Sequence, residues 1–263
     1  MSRTDTLRIV IIGSGGVASS LAPALDALPD VEVVQVYSPT LAHAENLASR
    51  LSGAVGVDDY ADISTDAGMY LVSVRDDAIA PLAATLVPRT DAVWVHTSGS
   101  VPMSALAPLG GHTGVFYPLQ TFSRERIVDV AEVPFFIEGS DDATAEFLRN
   151  LARRLSPHVF YADGDTRRLM HVAAVFACNF TNHLWAIAAD LLGERGIPFD
   201  VMRPLLEETL RKALAAHPEK GQTGPARRGD VKVMDAHRKM LRGSVADLYT
   251  SLSQSIMNRN DTL

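Results

Sequence analysis

The segment HVAAVFACNFTNH, His171 to His183, gathers two histidines, two asparagines and the only cysteine of a 263-residue chain into an otherwise apolar stretch. Histidine titrates near neutrality and can give or take a proton, while asparagine offers an amide that orients an oxygen or nitrogen. At ~100° per residue on a helix, His171, Cys178 and Asn182 fall within about 40° of one another. Asn179 and His183 lie one turn apart on the adjacent flank. The segment therefore reads as a helix that turns a proton donor, His171, and two orienting amides, Asn179 and Asn182, toward a cleft. Its packing face would be Ala173, Ala174, Phe176, Ala177 and Phe180. The competing reading is a buried helix whose polar groups are each satisfied by backbone or water. No metal site is expected, because the remaining histidines show no ligand spacing with carboxylates or a second thiol. No Gly-x-Ser-x-Gly nucleophile turn stands between a strand and a helix either.

Such a donor needs a reaction partner, and the amino-terminal residues suggest one. LRIVII, Leu7 to Ile12, is a continuous β-branched run of the kind that forms a parallel strand covered on both faces. It leads into GSGGVA, where Gly13, Gly15 and Ala18 match Gly-x-Gly-x-x-Gly/Ala and open a helical pattern. Gly13 permits the tight turn, Gly15 lets a diphosphate approach bare backbone, and Ala18 keeps helix and strand close. The amides of Ser14, Gly16 and Val17 at the helix start complete the anion cradle. The second strand, VEVVQVY, ends in YSPT without the acid that holds the ribose of NAD. Ser38, Thr40 and His43 can instead donate to a 2′-phosphate, which favours NADP although Pro39 stands where an arginine would have strengthened the case. After a later strand, HTSGS offers Ser98 and Gly99 at a carboxyl strand end, as cofactor contacts or as a polar cap. YPLQTFS offers Gln120, as a substrate contact or a turn residue. Strands and helices alternating through MYLVSV, AVWVH, GVFY and PFFIEG make the first part a doubly wound α/β sheet of the Rossmann type.

From about Asp165 the pattern is helical, so a dinucleotide-binding domain over 1–160 and an all-α domain over 161–263 are expected. Arg211 to Arg242 carries nine lysines and arginines against three acids, +6, while the rest of the chain is −13. Within it the loop GQTGPARRGD places Thr223, Arg227 and Arg228 where they could receive a small carboxylate, or simply form a solvated basic face. A net charge of −7 argues against nucleic acid and anionic membrane as partners. A single cysteine and no recognisable export signal fit a cytoplasmic protein. The long apolar span Val172 to Leu192 contains Asn179, Asn182, His183 and Asp190, expensive in a bilayer, and is expected to be a core helix.

IIGSGGVASSLA, VYSPT, HTSGS, AAVFACNFTNHL and GQTGPARRGD together resemble a branch of the 6-phosphogluconate dehydrogenase-like oxidoreductases, and the likeness extends over nearly the whole chain. The branch has a Rossmann-like NADP-binding domain followed by a helical domain of unknown function. The resemblance implies hydride transfer to a carbonyl or imine of a small carboxylate, with alternative ketopantoate reductases among the relatives, and a homodimer formed by the helical domains. In the wider superfamily the long helix carries a lysine and an asparagine at the substrate carbonyl. Here Asn179 takes the asparagine's place and, with no lysine in the helix, His171 takes the acid role. The alternative is an NADP-binding sensor or scaffold that has lost hydride transfer, which the missing lysine favours.

Overall fold

Ile9 and Ile11 point to one side of the first strand, β1 (Leu7–Ile12), and Val10 and Ile12 to the other, and all four are fully buried. That burial explains why the run lacks alternation: both faces of the sheet are covered. On one face lie Leu21 and Leu25 of α1 (Gly16–Asp26) with Leu148 and Leu151, and on the other Ile79, Leu82 and Leu106. The computed structural model describes residues 6–260, which divide between Cys178 and Asn179 into two compact units.

In the first unit β2 (Val31–Tyr37), α2 (Leu41–Ala48), β3 (Val55–Val57), β4 (Met69–Val72), α3 (Asp76–Thr85), β5 (Val93–His96) and β6 (His112–Pro118) continue the alternation. The strand order is β3-β2-β1-β4-β5-β6, followed by β7 (Phe135–Gly139) and β8 (Val159–Tyr161). Neighbours are parallel except for β6 and β7. This is the doubly wound Rossmann arrangement, and its switch point between β1 and β4 opens a crevice at the carboxyl strand ends. The antiparallel step has a local consequence. Because β7 starts at the end of the sheet where β6 stops, the connection over 119–134 stays on the rim that carries the glycine turn. The packing helix α4 (Asp142–Arg153) is capped by Asp141, whose carboxylate accepts from the Thr144 N–H. The three-residue strands β3 and β8 were too short to be legible in sequence.

Asp163 caps α5 (Gly164–Ala174) by accepting from the Thr166 N–H at 2.8 Å. The helix does not continue as a plain α-helix. Val175–Phe180 form a π-helical turn before α6 (Thr181–Gly193) takes over. A π turn advances less than 100° per residue, so the straight-helix alignment of His171 with Asn179 and Asn182 does not carry through it. The core-helix expectation is also corrected. Leu169, Val172, Phe176, Leu184 and Trp185 are 38–71% exposed. By length and composition Gly164–Gly193 could cross a membrane, and none of its apolar window is buried. Apolar side chains left open in this way call for cover from another surface.

The second unit continues through α7 (Arg203–Ala215), α8 (Pro225–Arg228), α9 (Val231–Met240) and α10 (Gly243–Asn260). Pro204 lies in the first turn of α7, where its missing N–H has no helical partner to lose. Asp200 sits in the 3₁₀ turn Phe199–Met202 that precedes α7 and pairs with Arg203. Asp230 does cap α9, accepting from the Val233 N–H. Of this unit's described apolar side chains, Ala226 and Met234 are buried.

Candidate active site

Gly13 follows the last residue of β1 with φ +115°, and a Cβ there would lie 2.1 Å from the Ser73 carbonyl oxygen. Only glycine fits this turn, on conformational and on steric grounds. Gly15, by contrast, has ordinary backbone angles as the N-cap of α1, and a Cβ added to it would meet nothing within 4 Å. The bare space is above Gly15. Gly16 holds another contact: its Cβ would lie 2.9–3.0 Å from the backbone of Phe122, so the loop after β6 rests directly on the first turn of α1. Ser20 Oγ pins the far end of that loop by accepting from the Val128 N–H at 3.1 Å. Ala18 is fully buried under the turn.

Above this turn is a cavity of about 710 Å³, lined wholly by the first unit. Of the residues singled out in sequence, Gly13, Ser14, Gly15, Gly16, Val17, Ser38, Thr40, Ser98, Gly99, Gln120 and His171 line it, as does His43. Asn182, Thr223, Arg227 and Arg228 belong to the second unit, as does Asn179, its first residue. Arg227 lines a separate cavity of about 120 Å³ with Glu219 and Gln222. Among the further lining residues that sequence reasoning assigned no role are Tyr37, Tyr60, Arg75, Tyr117 and Arg124. Tyr37, at the end of β2, and Tyr60, in the 3₁₀ turn Tyr60–Asp62, stack at 4.8 Å beside Ser38 and Thr40, and no spacing rule links tyrosines of two such elements. Tyr117 looked like the last residue of a strand. Among the described residues no cluster of three or more His, Cys, Asp or Glu could hold a metal ion.

Several hydroxyls are already engaged. Ser14 Oγ donates to Ser38 Oγ at 3.0 Å, both buried, which ties the glycine turn to the end of β2. Ser98 Oγ accepts from the Ser100 and Val101 N–H groups, each at 3.0 Å, and so shapes the turn after β5. Gln120 Oε1 accepts from the Thr121 N–H at 2.8 Å. Thr40, the N-cap of α2, makes no side-chain capping bond and leaves its hydroxyl to the cavity. Arg75 is forked onto Asp77.

His171 reaches the cavity from α5. Its Nδ1 lies 3.1 Å from the Tyr117 hydroxyl, and the rings meet edge-on with centroids 6.2 Å apart. Burial raises the Tyr117 phenol above its ordinary pKa, a shift that the charge of Arg167 partly offsets. Arg167, one turn before His171 on the same helix, is completely buried. It pairs with Glu138 of β7 and donates to the Val101 carbonyl at 2.8 Å. These bonds fasten the start of α5 to the sheet and set the height of the His171 ring above it.

His96, the last residue of β5, lies under this site, fully buried, with Nδ1 accepting from the Ser98 N–H at 3.2 Å. Burial, with Arg167 nearby, holds its imidazole down at about 4 against an ordinary 6.5. An unfolded chain takes up this proton near 6.5, while the folded one resists until about 4. The contribution of His96 to stability is therefore complete above 6.5 and declines as the pH falls toward 4, by about 3 kcal/mol in all. Melting temperatures across that window should fall more steeply for the native protein than for His96→Asn, which keeps an acceptor and does not titrate. Parallel curves would show that His96 does not control this loss.

The family model described as a domain of unknown function, DUF2520, matches residues 133–256. Over 97% of its length the chain is 44% identical to a Bacteroides fragilis protein described as a "putative NADP oxidoreductase", of which 99% is covered, with a TM-score of 0.91. Reductive aminase from Aspergillus terreus, solved with NADPH and ethyl levulinate, is 14% identical with a TM-score of 0.70, covering 97% of this chain and 94% of that one. 1-Pyrroline-5-carboxylate reductase from Streptococcus pyogenes is 14% identical with a TM-score of 0.63, covering 99% and 100%. At 14% identity the likeness is one of fold. No curated protein matches the chain in sequence.

Proposed function

The chain belongs to the family of NADP oxidoreductases represented by the Bacteroides fragilis protein, and on that premise we propose that it reduces the C=O or C=N group of a small carboxylate. It is an oxidoreductase and its cofactor is NADP(H). The observation that carries the finer reading is one cavity lined both by the glycine turn and by His171. A turn that only glycine can make at Gly13, beside open space over Gly15, fits a dinucleotide diphosphate. Ser38, Thr40 and His43 would face the adenosine side, and Ser98 and Gly99 the nicotinamide side. NADPH, when bound, supplies hydride to carbon.

The rest of the chemistry belongs to the chain. His171 gives a proton to the oxygen or nitrogen as that atom gains the electron pair of the double bond, and an alcohol or amine results. Asn179 and Asn182 are proposed to orient the heteroatom and Gln120 to contact the substrate. In the helical unit Thr223, Arg227 and Arg228 form the loop proposed to receive a carboxylate. The fold is shared with a protein named reductive aminase and one named 1-pyrroline-5-carboxylate reductase, and C=N compounds therefore stand in the proposal beside ketopantoate and other 2-keto acids. A homodimer in which a second copy covers the exposed apolar side chains Leu184, Trp185 and Leu191 of α6 is part of this proposal, as is a cytoplasmic location, which the single cysteine fits.

Fluorescence titration with NADPH and NADH, followed by turnover on keto acids and cyclic imino acids, tests this reading. NADPH bound preferentially and oxidised by one of those classes supports it. Tight NADPH binding with no oxidation across both classes supports the second reading, a sensor without hydride transfer, which the absence of lysine from Gly164–Gly193 favours. Binding of neither nucleotide overturns both.

A further inference from the structure

We propose that Tyr117 is a positioning residue that makes His171 present an Nε2–H to the cavity, whether the imidazole is neutral or charged. The inference rests on the proposed reductase only for what the Nε2–H meets; the proton's location on the ring is a property of the chain alone.

The geometry separates the two ring nitrogens. Nδ1 faces the Tyr117 hydroxyl at 3.1 Å. A Cβ on Gly99 would lie 2.7 Å from Nδ1 and 2.8 Å from Tyr117 Cζ, so it is the missing side chain at 99 that lets the two rings meet. Alanine at 99 would force them apart. Nε2 has no protein hydrogen-bond partner among the described residues and is absent from the buried unsatisfied atoms, so it is left accessible on a residue that lines the cavity.

The direction of the Tyr117–His171 bond follows from the chemistry of the two groups. A phenol O–H donates well and accepts poorly, because its lone pair is shared with the ring, whereas an unprotonated imidazole nitrogen is a strong acceptor. Tyr117 is 7% exposed, and His171 Nδ1 is the hydrogen-bond partner of its hydroxyl among the described residues, so this strong acceptor is where the O–H turns while the imidazole is neutral. Burial also makes the phenol reluctant to ionise. Neutral His171 therefore accepts at Nδ1 and carries its proton on Nε2. When His171 becomes imidazolium, Nδ1–H donates to the same hydroxyl oxygen, whose own proton turns into the cavity that Tyr117 also lines, and Nε2 still carries a proton. Release of that one proton from Nε2 to a substrate heteroatom leaves a neutral ring protonated on Nδ1, with no electrons transferred by the protein. Exchange with solvent restores the resting tautomer.

The test is ¹⁵N–¹H correlation of histidine-labelled full-length protein without cofactor, recorded at a pH where His171 is neutral and assigned by the signals lost in His171→Gln. The expected native pattern has Nε2 protonated and Nδ1 bare. Tyr117→Phe, which keeps the ring and removes the donor, should convert it to a mixture of tautomers and lower kcat about tenfold, with the NADPH Kd within about twofold. A native pattern with Nδ1 protonated overturns the proposal and needs no variant. So does a Tyr117→Phe protein whose tautomer matches the native one. A protein with the expected tautomers but no reductase activity fails the functional reading alone.

Discussion

Replacing His171 by alanine is expected to lower kcat by about 10² to 10³-fold while leaving the NADPH Kd within about twofold. The ring enters the cavity from α5, opposite the glycine turn in chain position, and its partner is Tyr117 rather than any residue of the cradle. Loss of the imidazole removes the proton source and leaves the anion-binding backbone intact. It also strips the buried Tyr117 hydroxyl of its acceptor, which should cost about 1–2 kcal/mol of stability. His171→Gln separates these effects, because a glutamine oxygen can accept from Tyr117 but cannot protonate a substrate. Both variants should lose turnover, and glutamine should recover part of the melting temperature lost with alanine. Turnover unchanged in both would remove His171 from the chemistry. A parallel fall in NADPH affinity would assign the ring to cofactor binding instead.

Sequence made the parts that obey short-range rules legible. LRIVII had to be a strand covered on both faces, because no polar alternation breaks it, and the glycines after it restrict the turn to a few shapes. The Rossmann order followed from the alternation of strand and helix. What remained hidden depended on contacts between distant segments. Nothing local in QTFS says that the Phe122 backbone rests on Gly16, and nothing in VFYPL says that its tyrosine meets a histidine 54 residues later. His171 itself was found through its chemistry, whereas the alignment used to group it with Asn179 and Asn182 assumed a uniform helix. The π turn over Val175–Phe180 violates that assumption, and π turns concentrate where a helix bends to function. The core-helix expectation failed for another reason: apolar composition measures the need for cover, and cover can come from outside the chain.

Two alanine substitutions in the glycine turn should have opposite phenotypes. At Gly13 the added methyl would sit 2.1 Å from the Ser73 oxygen in a backbone with φ +115°, and both residues are held just past the ends of central strands, the Gly13 N–H by the Tyr37 carbonyl at 2.8 Å and the Ser73 N–H by the Ile12 carbonyl at 2.7 Å. Strain and clash together should destabilise Gly13→Ala by about 3 kcal/mol or more, seen as a fall of roughly 10 °C in melting temperature or as failure to fold. At Gly15 the backbone angles are −76° and −175°, which alanine adopts freely, and the methyl meets nothing. Gly15→Ala should keep its stability within about 0.5 kcal/mol. Its methyl would stand in the space assigned to the diphosphate, so NADPH and NADH should both bind at least about tenfold more weakly, a common loss of roughly 1.4 kcal/mol. Equal weakening matters, because both nucleotides carry the diphosphate and only one carries the 2′-phosphate. If Gly15→Ala binds NADPH as the native protein does, the space over Gly15 does not hold the cofactor. A stable Gly13→Ala protein would mean that the turn can relax in a way the Ser73 contact does not allow.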